Sequence, residues 1–324
     1  DLNTDIVGLG RIDALTNGDI DLTETKDDLR AGEIKSALGN VRLTADAGIV
    51  DAQADAAVDV IGNTISLTAT NGGIGSFLND LEIDSAFSAF GRLTANATTD
   101  IQCYETSGSL TVSQVACLGD VRLTTRDTVK TGESIVVPAD ATIQATKSVT
   151  LQAGDDISAT GKVLTTSGNL FFAVDHRSAD PDGGVLSVRN ATLQGALVRA
   201  TGEDDNDTLD CGLVNIPVIA SGNGGNDTIT GGNKADELYG GAGIDTISGG
   251  AGDDLIVAGT GVGDVLSGND GDDTIYGSPD GNAPDPNFND SNRFGDLIDG
   301  GPGSDTIYGL GGADDILEIG RAHV

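Results

Sequence analysis

Hydrophobic positions between Gly222 and Tyr276 recur with a period of nine, interrupted once by an extra residue, Ala258. Each nine-residue block ends in three β-forming residues with one aliphatic side chain at position eight, and its first six residues are rich in glycine and acid. Glycine adopts backbone angles that other residues avoid, so the six residues are predicted to form a turn. The last three are predicted to form a short strand with one buried side chain. Two such blocks would close one coil of a solenoid.

An aspartate occupies position six of every block. The frame continues outside Gly222–Tyr276 in the blocks 202–210, 291–299, 300–308 and 309–317, which makes ten blocks. Stacked coils would place these carboxylates about 4.8 Å from their copies in the next coil. Like charges at that spacing repel unless a cation lies between them, and oxygen-rich turns suit a hard divalent cation such as Ca²⁺. The ten aspartates are Asp207, Asp227, Asp236, Asp245, Asp254, Asp264, Asp273, Asp296, Asp305 and Asp314.

The blocks resemble the RTX nonapeptide GGxGxDxUx, which GGAGIDTIS (240–248) and GGAGDDLIV (249–257) match at every defined position. The resemblance implies a parallel β-roll with Ca²⁺ bound between the turns of one block and the second block after it. It also implies that turn glycines such as Gly241, Gly243, Gly250 and Gly252 take part in the sites. The alternative is a set of glycine–aspartate turns in an ordinary β-protein without metal. By position, the implied partners are Asp227 with Asp245, Asp236 with Asp254, Asp245 with Asp264, Asp254 with Asp273, and Asp296 with Asp314, while Asp305 lies in a block without an assigned partner.

Several blocks depart from the pattern, and weak or empty sites are expected there. In this frame Lys234 and Val262 replace the glycine at position four, and the block 291–299 has lost most of its turn glycines. Residues 211–221 omit the acidic turn, which leaves the partner of Asp207 missing or displaced. Residues 277–290 hold three of the seven prolines and are predicted to form a surface loop.

Leucines recur more loosely in residues 1–201, at intervals near twenty: Leu22, Leu43, Leu67, Leu93, Leu110, Leu123 and Leu151. Short alternating strands and small-residue turns surround them, and helical periodicity is absent. These units resemble the rungs of filamentous-haemagglutinin-type adhesins in large bacterial surface proteins. We therefore predict an all-β chain with a right-handed parallel β-helix over 1–201 and a β-roll over 202–317. An array of β-sandwiches is the alternative for 1–201.

Acid is concentrated in the second part of the chain. Residues 202–317 hold 23 acidic and 2 basic side chains, against 27 and 14 in residues 1–201. Charge of this sign argues against nucleic acid or an anionic membrane as a partner, and no apolar run approaches the roughly 18 residues of a membrane span. Three cysteines are too few for a disulfide scaffold, which favours metal as the stabilising element. Cys103 and Cys117 are expected either to pair or to remain free buried thiols.

Both ends of the chain look incomplete. The sequence contains no methionine, so Asp1 is not expected to be a natural start, and the chain is interpreted as a fragment or mature segment. Residues 318–324, EIGRAHV, have no repeat character and resemble the translation of a sequencing-adaptor oligonucleotide. We interpret them as a non-native tail.

The function predicted from these observations is that of a calcium-binding fragment of a secreted or cell-surface bacterial adhesin, with no enzymatic activity. Ca²⁺ is expected to drive folding of the acidic blocks outside the cell, and the partners are expected to be cell-surface or matrix carbohydrate or protein. The alternative is a carbohydrate-active enzyme resembling alginate epimerases or lyases, in which Asp175, His176, Asp180 and Asp182 line the site. Three tyrosines at position nine are expected to form an outward ladder, with a sugar-binding stripe as the alternative: Tyr239, Tyr276 and Tyr308.

Overall fold

A computed structural model describes residues 2–4, 10–85, 91–128, 132–176, 183–278, 295–310 and 314–317. All regular structure in these residues is β-strand, and every strand pairing within a unit is parallel. The predicted all-β solenoid of parallel strands is confirmed. The chain divides into two compact units, Asp1–Phe171 and Phe172–Val324. The predicted tail, 318–324, lies outside the described residues.

The first unit contains two series of strands that alternate along the chain. One series is β1 (Leu2–Thr4), β3 (Ile20–Glu24), β5 (Val41–Ala45), β8 (Thr64–Ala69), β10 (Arg92–Ala97), β12 (Leu110–Ala116), β14 (Ile135–Val137), β15 (Thr142–Ala145), β17 (Ile157–Ala159) and β18 (Lys162–Thr165). The other is β2 (Ile12–Thr16), β4 (Leu29–Ser36), β6 (Ile49–Asp51), β7 (Val60–Ile61), β9 (Leu81–Asp84), β11 (Ile101–Glu105), β13 (Val121–Thr125) and β16 (Val149–Gln152), and β19 (Leu170–Ala173) crosses the boundary between the units.

Coils in the first unit differ in length. Ile20 pairs with Val41, Val41 with Ile65 and Ile65 with Leu93, so each of these coils is longer than the one before it. Each strand still pairs with the strand of the next coil, and the extra residues lie in the turns between strands. The spacing near twenty therefore predicted the coil but not its exact length.

The core of the first unit is a stack of aliphatic side chains. Inward positions alternate with outward ones, as in β3 and β5, because successive side chains of a strand point to opposite faces. The predicted leucines are all buried, but they belong to two columns. Leu22, Leu43 and Leu67 are in register in one series, whereas Leu123 and Leu151 are in register in the other.

The cysteines of this core are free thiols, so the Cys103–Cys117 disulfide considered from the sequence does not form. Cys103 and Cys117 are both buried, on β11 and just after β12. Burial is the largest cause that raises the pKa of the Cys117 thiol, to about 11, which makes it a poor nucleophile.

The second unit has the same two-series arrangement. One series is β20 (Val185–Ser187), β21 (Thr192–Gln194), β23 (Thr208–Asp210), β25 (Thr228–Thr230), β27 (Thr246–Ala251), β29 (Val265–Asp270), β31 (Leu297–Asp299) and β33 (Asp315–Leu317). The other is β22 (Val198–Thr201), β24 (Val218–Gly224), β26 (Glu237–Ala242), β28 (Leu255–Thr260), β30 (Thr274–Tyr276) and β32 (Thr306–Tyr308).

Coils built from the nonapeptide blocks are nearly uniform. Thr228 pairs with Thr246, so this coil is two blocks long, and Thr246 pairs with Val265, which adds a single residue to the same length. The coil from Val265 to Leu297 is much longer because it includes the proline-rich interruption, yet the pairing resumes in register. Of the predicted 277–290 loop, residues 279–290 lie outside the described residues.

The change from rung-like sequence to nonapeptides falls inside the second unit. Val185 of β20 pairs with Thr208 of the first block, and Val198 of β22 pairs with Val218. The strand pairing thus passes from one kind of repeat to the other within this unit. The predicted domain boundary at 201/202 marks a change of sequence pattern and stays a prediction as a domain limit.

Candidate metal centre

The position-six aspartates form two rows, one beside each series of strands in the second unit. The backbone N–H of Asp227 donates to Oδ1 of Asp245, and that of Asp245 donates to Oδ1 of Asp264, at 2.8 and 2.7 Å. In the other row Asp236 donates to Asp254 and Asp254 to Asp273, at 2.9 and 2.8 Å. In each case the carboxylate of one coil accepts a hydrogen bond from the backbone of the preceding coil, which fixes its position. Asp207, Asp227, Asp236, Asp245, Asp254, Asp264, Asp273 and Asp296 are almost fully buried.

All five aspartate pairs implied by the resemblance are neighbours across adjacent coils. In the fifth pair, the backbone N–H of Asp296 donates to Oδ1 of Asp314 at 3.1 Å. The structure adds three pairs, Asp207–Asp227, Asp264–Asp296 and Asp273–Asp305. The expectation that the partner of Asp207 is missing or displaced is corrected, because residues 211–221 take the place of one whole block. Asp227 is therefore in the next coil, and its Oδ1 accepts the N–H of Asp207 at 2.8 Å.

The second carboxylate oxygen has no hydrogen-bond partner at five of these positions, although it is buried. An unpaired buried oxygen that carries charge is unfavourable unless a cation is bound there. Each oxygen lies beside the position-one glycine of its own block, where a Cβ on Gly240 would collide with Asp245 Oδ2 and with the carbonyl oxygen of Ala258 in the next coil. At four of the five positions, all but that of Asp305, a carboxylate oxygen and a backbone carbonyl thus face one small space, a donor set that fits Ca²⁺. The five oxygens are Oδ2 of Asp227, Asp245, Asp254, Asp273 and Asp305.

Glycine is required at positions two and four because the backbone there has positive φ. Gly241 and Gly243 have φ of 123° and 134°, and Gly250 and Gly252 have 111° and 126°. A Cβ on Gly243 would also collide with the carbonyl of Gly225 in the neighbouring coil. These four glycines shape the turns that carry the aspartates, while their contribution of carbonyl ligands stays a prediction.

Burial makes the ionised form of these carboxyls unfavourable. It is the largest cause that raises the pKa of Asp227 to about 7, and repulsion from Asp245 and Asp207 adds to it while the backbone hydrogen bond opposes it. Burial likewise raises the pKa of Asp254 to about 7 and that of Asp273 to about 6. The pKa values of Asp236, Asp245 and Asp264 are raised for the same first reason. Without a cation the folded turns favour protonated carboxyls.

At the irregular turns the second carboxylate oxygen is already paired. Oδ2 of Asp207 accepts the N–H of Glu203 at 2.9 Å, and Oδ2 of Asp236 accepts that of Gly232 at 2.5 Å. Oδ2 of Asp264 accepts the hydroxyl of Ser278, the first residue after Gly277 in the interrupted turn. These positions coincide with the weak sites expected near Asp207, Lys234 and the proline-rich loop. Their affinity for metal stays a prediction.

The strand register changes the assignment of one turn. Gly241 pairs with Gly259, and a Cβ on Gly261 would meet the carbonyl of Gly243. Gly261 therefore occupies position four, Ala258 occupies position one, and one extra residue is inserted before Asp264. The interpretation of Val262 as a replaced position-four glycine is wrong, because the frame set Ala258 aside as the extra residue, whereas the register places the extra residue between Gly261 and Asp264. Asp236, in contrast, faces Val218 where a preceding aspartate would be.

The last coils are less enclosed than the middle of the array. Asp305 and Asp314 are half-buried, and Ile316 is 48% exposed, whereas Ile247 is 1% exposed. In the blocks 291–299 and 309–317, residues 291–294 and 311–313 lie outside the described residues.

Residues 221–256, 230–263, 258–281 and 290–317 match the family model of the RTX calcium-binding nonapeptide repeat, in four copies. The acidic turns within these residues are RTX repeats. They bind calcium, and repeats of this family form β-rolls and are typical of secreted bacterial proteins. No curated protein and no solved structure matches the chain significantly. The described residues include no helix long and apolar enough to cross a membrane.

Other predicted residues lie outside the RTX rows. Asp175 is buried with a φ of 50°, and His176 Nδ1 lies 3.8 Å from Glu203 Oε1. Asp180 and Asp182 lie outside the described residues, so the proposed four-residue cluster is tested only in part. Tyr276 and Tyr308 stack with ring centroids 4.8 Å apart, and Tyr239 occupies the same outward column.

Sequence reasoning missed one acidic group entirely. Asp51, Asp59 and Glu82 are buried in the first unit with carboxylate oxygens within 4.8 Å of one another. The only signal in the sequence is the spacing of Asp51, Asp55 and Asp59, which gives no reason to associate them with Glu82 on another strand.

Proposed function

We propose that this chain is part of a secreted or cell-surface bacterial protein whose RTX coils fold only when they bind Ca²⁺. The observation that supports the proposal is the set of five buried carboxylate oxygens without hydrogen-bond partners. The unfolded chain can hydrate these carboxylates, but the folded turns cannot, so a cation that binds only the folded turns shifts the equilibrium toward folding.

The free energy of calcium binding is comparable with the whole stability of an ordinary domain. One site that binds only the folded state contributes about 2.7 kcal/mol when free calcium is about 100 times its dissociation constant. Five such sites would contribute about 13.5 kcal/mol, which is comparable with the roughly 5–15 kcal/mol that separates folded and unfolded domains. Low calcium inside a cell would keep the repeats unfolded for export, and millimolar calcium outside would fold them.

Hydrogen exchange of the full chain, with calcium and with a chelator, tests this proposal. We expect amides of β25–β30 to be protected in calcium and to exchange freely in chelator, because the buried carboxylates then repel one another. Amides of β5, β8 and β13 in the first unit provide the internal control and should be protected in both conditions. Equal protection of β25–β30 with and without calcium would contradict calcium-dependent folding.

An adhesive role is the finer part of the proposal, and it rests on the resemblance of the segment 1–201 to adhesin rungs. The first unit would act as a stiff shaft, with cell-surface or matrix carbohydrate or protein as its partner and no catalytic activity. Binding of the calcium-loaded chain to a panel of immobilised glycans and matrix proteins measures this directly. Absence of binding to every member would remove the adhesin assignment and leave the calcium-dependent fold intact.

A carbohydrate-active enzyme is the second candidate function. The observation that favours it is the left-handed backbone of Asp175 beside His176, because strain of this kind is common at functional sites. Under this alternative, His176→Ala abolishes depolymerisation or epimerisation of an acidic polysaccharide. Turnover by the wild-type chain that persists in His176→Ala would exclude His176 as its base.

A further inference from the structure

A loop interrupts one strand of the first unit and brings buried acids together at its base. β4 pairs with β6 through Leu29–Ile49 and with β7 through Ile34–Val60, so β6 and β7 are two halves of one strand position. Residues 53–57 between them are exposed. Asp51 ends β6 and Asp59 precedes β7, which places the two carboxylates at the two sides of the loop base.

Glu82 joins these two aspartates from the next coil. The N–H of Asp59 donates to the carbonyl of Glu82 at 3.0 Å, and the N–H of Glu82 donates to Oδ2 of Asp59 at 3.3 Å. One carboxylate oxygen from each of Asp51, Asp59 and Glu82 lies within 4.8 Å of the other two. Two oxygens on opposite sides of a Ca²⁺ ion are about 5 Å apart, so the three oxygens can share one ion.

An unpaired oxygen of Glu82 gives a separate indication that the cluster binds an ion. Glu82 is 7% exposed, and its Oε2 is buried without a hydrogen-bond partner. No described ion pair includes Asp51, Asp59 or Glu82, and the nearby Arg30 donates to the carbonyl of Ala52 at 3.2 Å. Asp51 accepts the backbone N–H groups of Gln53 and Asp55 at 2.6 and 3.2 Å. Burial of Asp59 and Glu82 without a cationic partner, in contrast, is costly unless a proton or a cation neutralises them.

We propose that Asp51, Asp59 and Glu82 bind one Ca²⁺ ion at the base of the 52–58 loop. This site lies in the first unit, outside the RTX repeats, and it does not depend on the proposed function. The donors are carboxylate oxygens only, which selects a hard divalent cation over a transition metal that prefers nitrogen or sulfur. Bound there, the ion would tie the two ends of the loop to the following coil.

The rival explanation is that protons neutralise the cluster. Burial, followed by repulsion from Asp51 and Glu82, raises the pKa of Asp59 to about 9, and burial raises that of Glu82 to about 7. A proton-held cluster and a calcium-held cluster differ in the number of ions bound per chain. They also differ in how exchange of the loop responds to calcium.

The experiment counts calcium bound to the full chain at pH 8 by native mass spectrometry and follows hydrogen exchange of residues 49–61 and 81–84. We expect the variant Asp51→Asn/Asp59→Asn/Glu82→Gln to bind one ion fewer than wild type. Asp21→Asn, a half-buried acid paired with Arg42, should bind the wild-type number. Exchange of 49–61 should slow at least about tenfold on adding calcium to wild type and remain unchanged in the triple variant. Magnesium in place of calcium should not reproduce the effect.

Equal ion counts in wild type and triple variant, together with loop exchange that ignores calcium, would overturn the proposal and leave a proton-held cluster. If the triple variant fails to fold, Glu82→Gln alone replaces it in the experiment. This variant should lower the calcium affinity of one site by about tenfold or more, since the charge of the ligand set tunes calcium affinity. An unchanged titration of Glu82→Gln would equally overturn the site. Protection of β25–β30 in the same samples reports separately on the RTX coils.

Discussion

The two kinds of coil in this chain differ in what fills their interior. In the first unit a strand such as β8 turns three side chains inward, and the core is a stack of leucine, isoleucine and alanine. In an RTX coil a strand such as β25 turns only Ile229 inward, and buried aspartates occupy the turns. Apolar burial stabilises the first kind unaided, whereas the second depends on what neutralises its carboxylates.

Uniform coil length accompanies this difference. The hydrophobic columns tolerate coils that lengthen steadily from Ile20 to Leu93, because a leucine needs only apolar neighbours. A cation needs oxygens at fixed distances, so the RTX coils keep to two blocks, with at most one added residue, wherever the turns are regular. Regularity of the repeat is thus a consequence of ligand geometry.

The largest expected effect comes from removing ligands in both rows. Asp245→Asn/Asp254→Asn retains the Oδ1 that accepts the N–H of the preceding turn but removes one charge from each row. We expect the calcium midpoint for folding of the RTX coils to rise at least tenfold, a loss of about 1.4 kcal/mol or more. In chelator the sign should reverse, because a buried carboxylate has been removed. Circular dichroism during a calcium titration measures both, with Asp253→Asn, an exposed neighbour, as the control.

A core truncation in the first unit should be large and independent of calcium. Leu67 is fully buried between Leu43 and Ala95, and Leu67→Ala is expected to cost about 2–5 kcal/mol. Urea unfolding monitored by hydrogen exchange of β5 and β8 measures this cost with calcium and with chelator. Thr68→Ala, at the adjacent outward position, is the control. A cost for Leu67→Ala that depended on calcium would show that the first unit is not stabilised on its own.

The stability of the RTX coils should depend on pH, with a smaller effect than that of the core truncation. Burial raises the pKa of Asp227 and Asp254 to about 7 in the folded turns, above the unfolded value of about 3.9. An acid whose pKa is raised by folding contributes stability that is present below its unfolded pKa and is lost as pH rises through the folded pKa of about 7. In chelator, the RTX coils should therefore be better protected at pH 5 than at pH 8. In calcium the order should reverse, because protons compete with the ion for the carboxylates.

The smallest expected effect concerns the outward column of the RTX coils. Tyr276→Leu removes the stack on Tyr308 and should cost about 0.5–1.5 kcal/mol in saturating calcium. Tyr239→Leu is the matched control, since the hydroxyl of Tyr239 donates to Glu237 and its ring has no such stack among the described residues. Equal losses in the two variants would mean that the stack contributes nothing beyond strand propensity.

Sequence alone predicted the parts of the fold that repeat. The aspartate–aliphatic frame fixed which carboxylates are neighbours, as in Asp236–Asp254, because two blocks make one coil whenever both have the regular length. It did not predict Asp207–Asp227, since residues 211–221 replace a block without its motif. It also placed the extra residue of the next coil at Ala258 and not before Asp264, because glycines occur on both sides of the true insertion.

The acids of the first unit show a different limit of the sequence. Asp59 and Glu82 become neighbours because Val60 pairs with Ile83, across a coil whose length no motif specifies. In an irregular solenoid, knowing that coils stack does not say which residues share a level. Leu22 and Leu123 likewise looked equivalent in the sequence but belong to different columns.

The interrupted turn between β30 and β31 has one more consequence. Thr274 pairs with Thr306 and Val265 with Leu297, in the same register as their neighbours, although this coil also contains the proline-rich interruption. The spacing of the stack is therefore set by the strands and the aspartate ladder, and it does not depend on the number of residues that the chain inserts between Ser278 and Gly295. Such a turn is a natural insertion point: a segment can be gained, exchanged or lost there over evolution, or added by design, without shifting any level of the column above or below it.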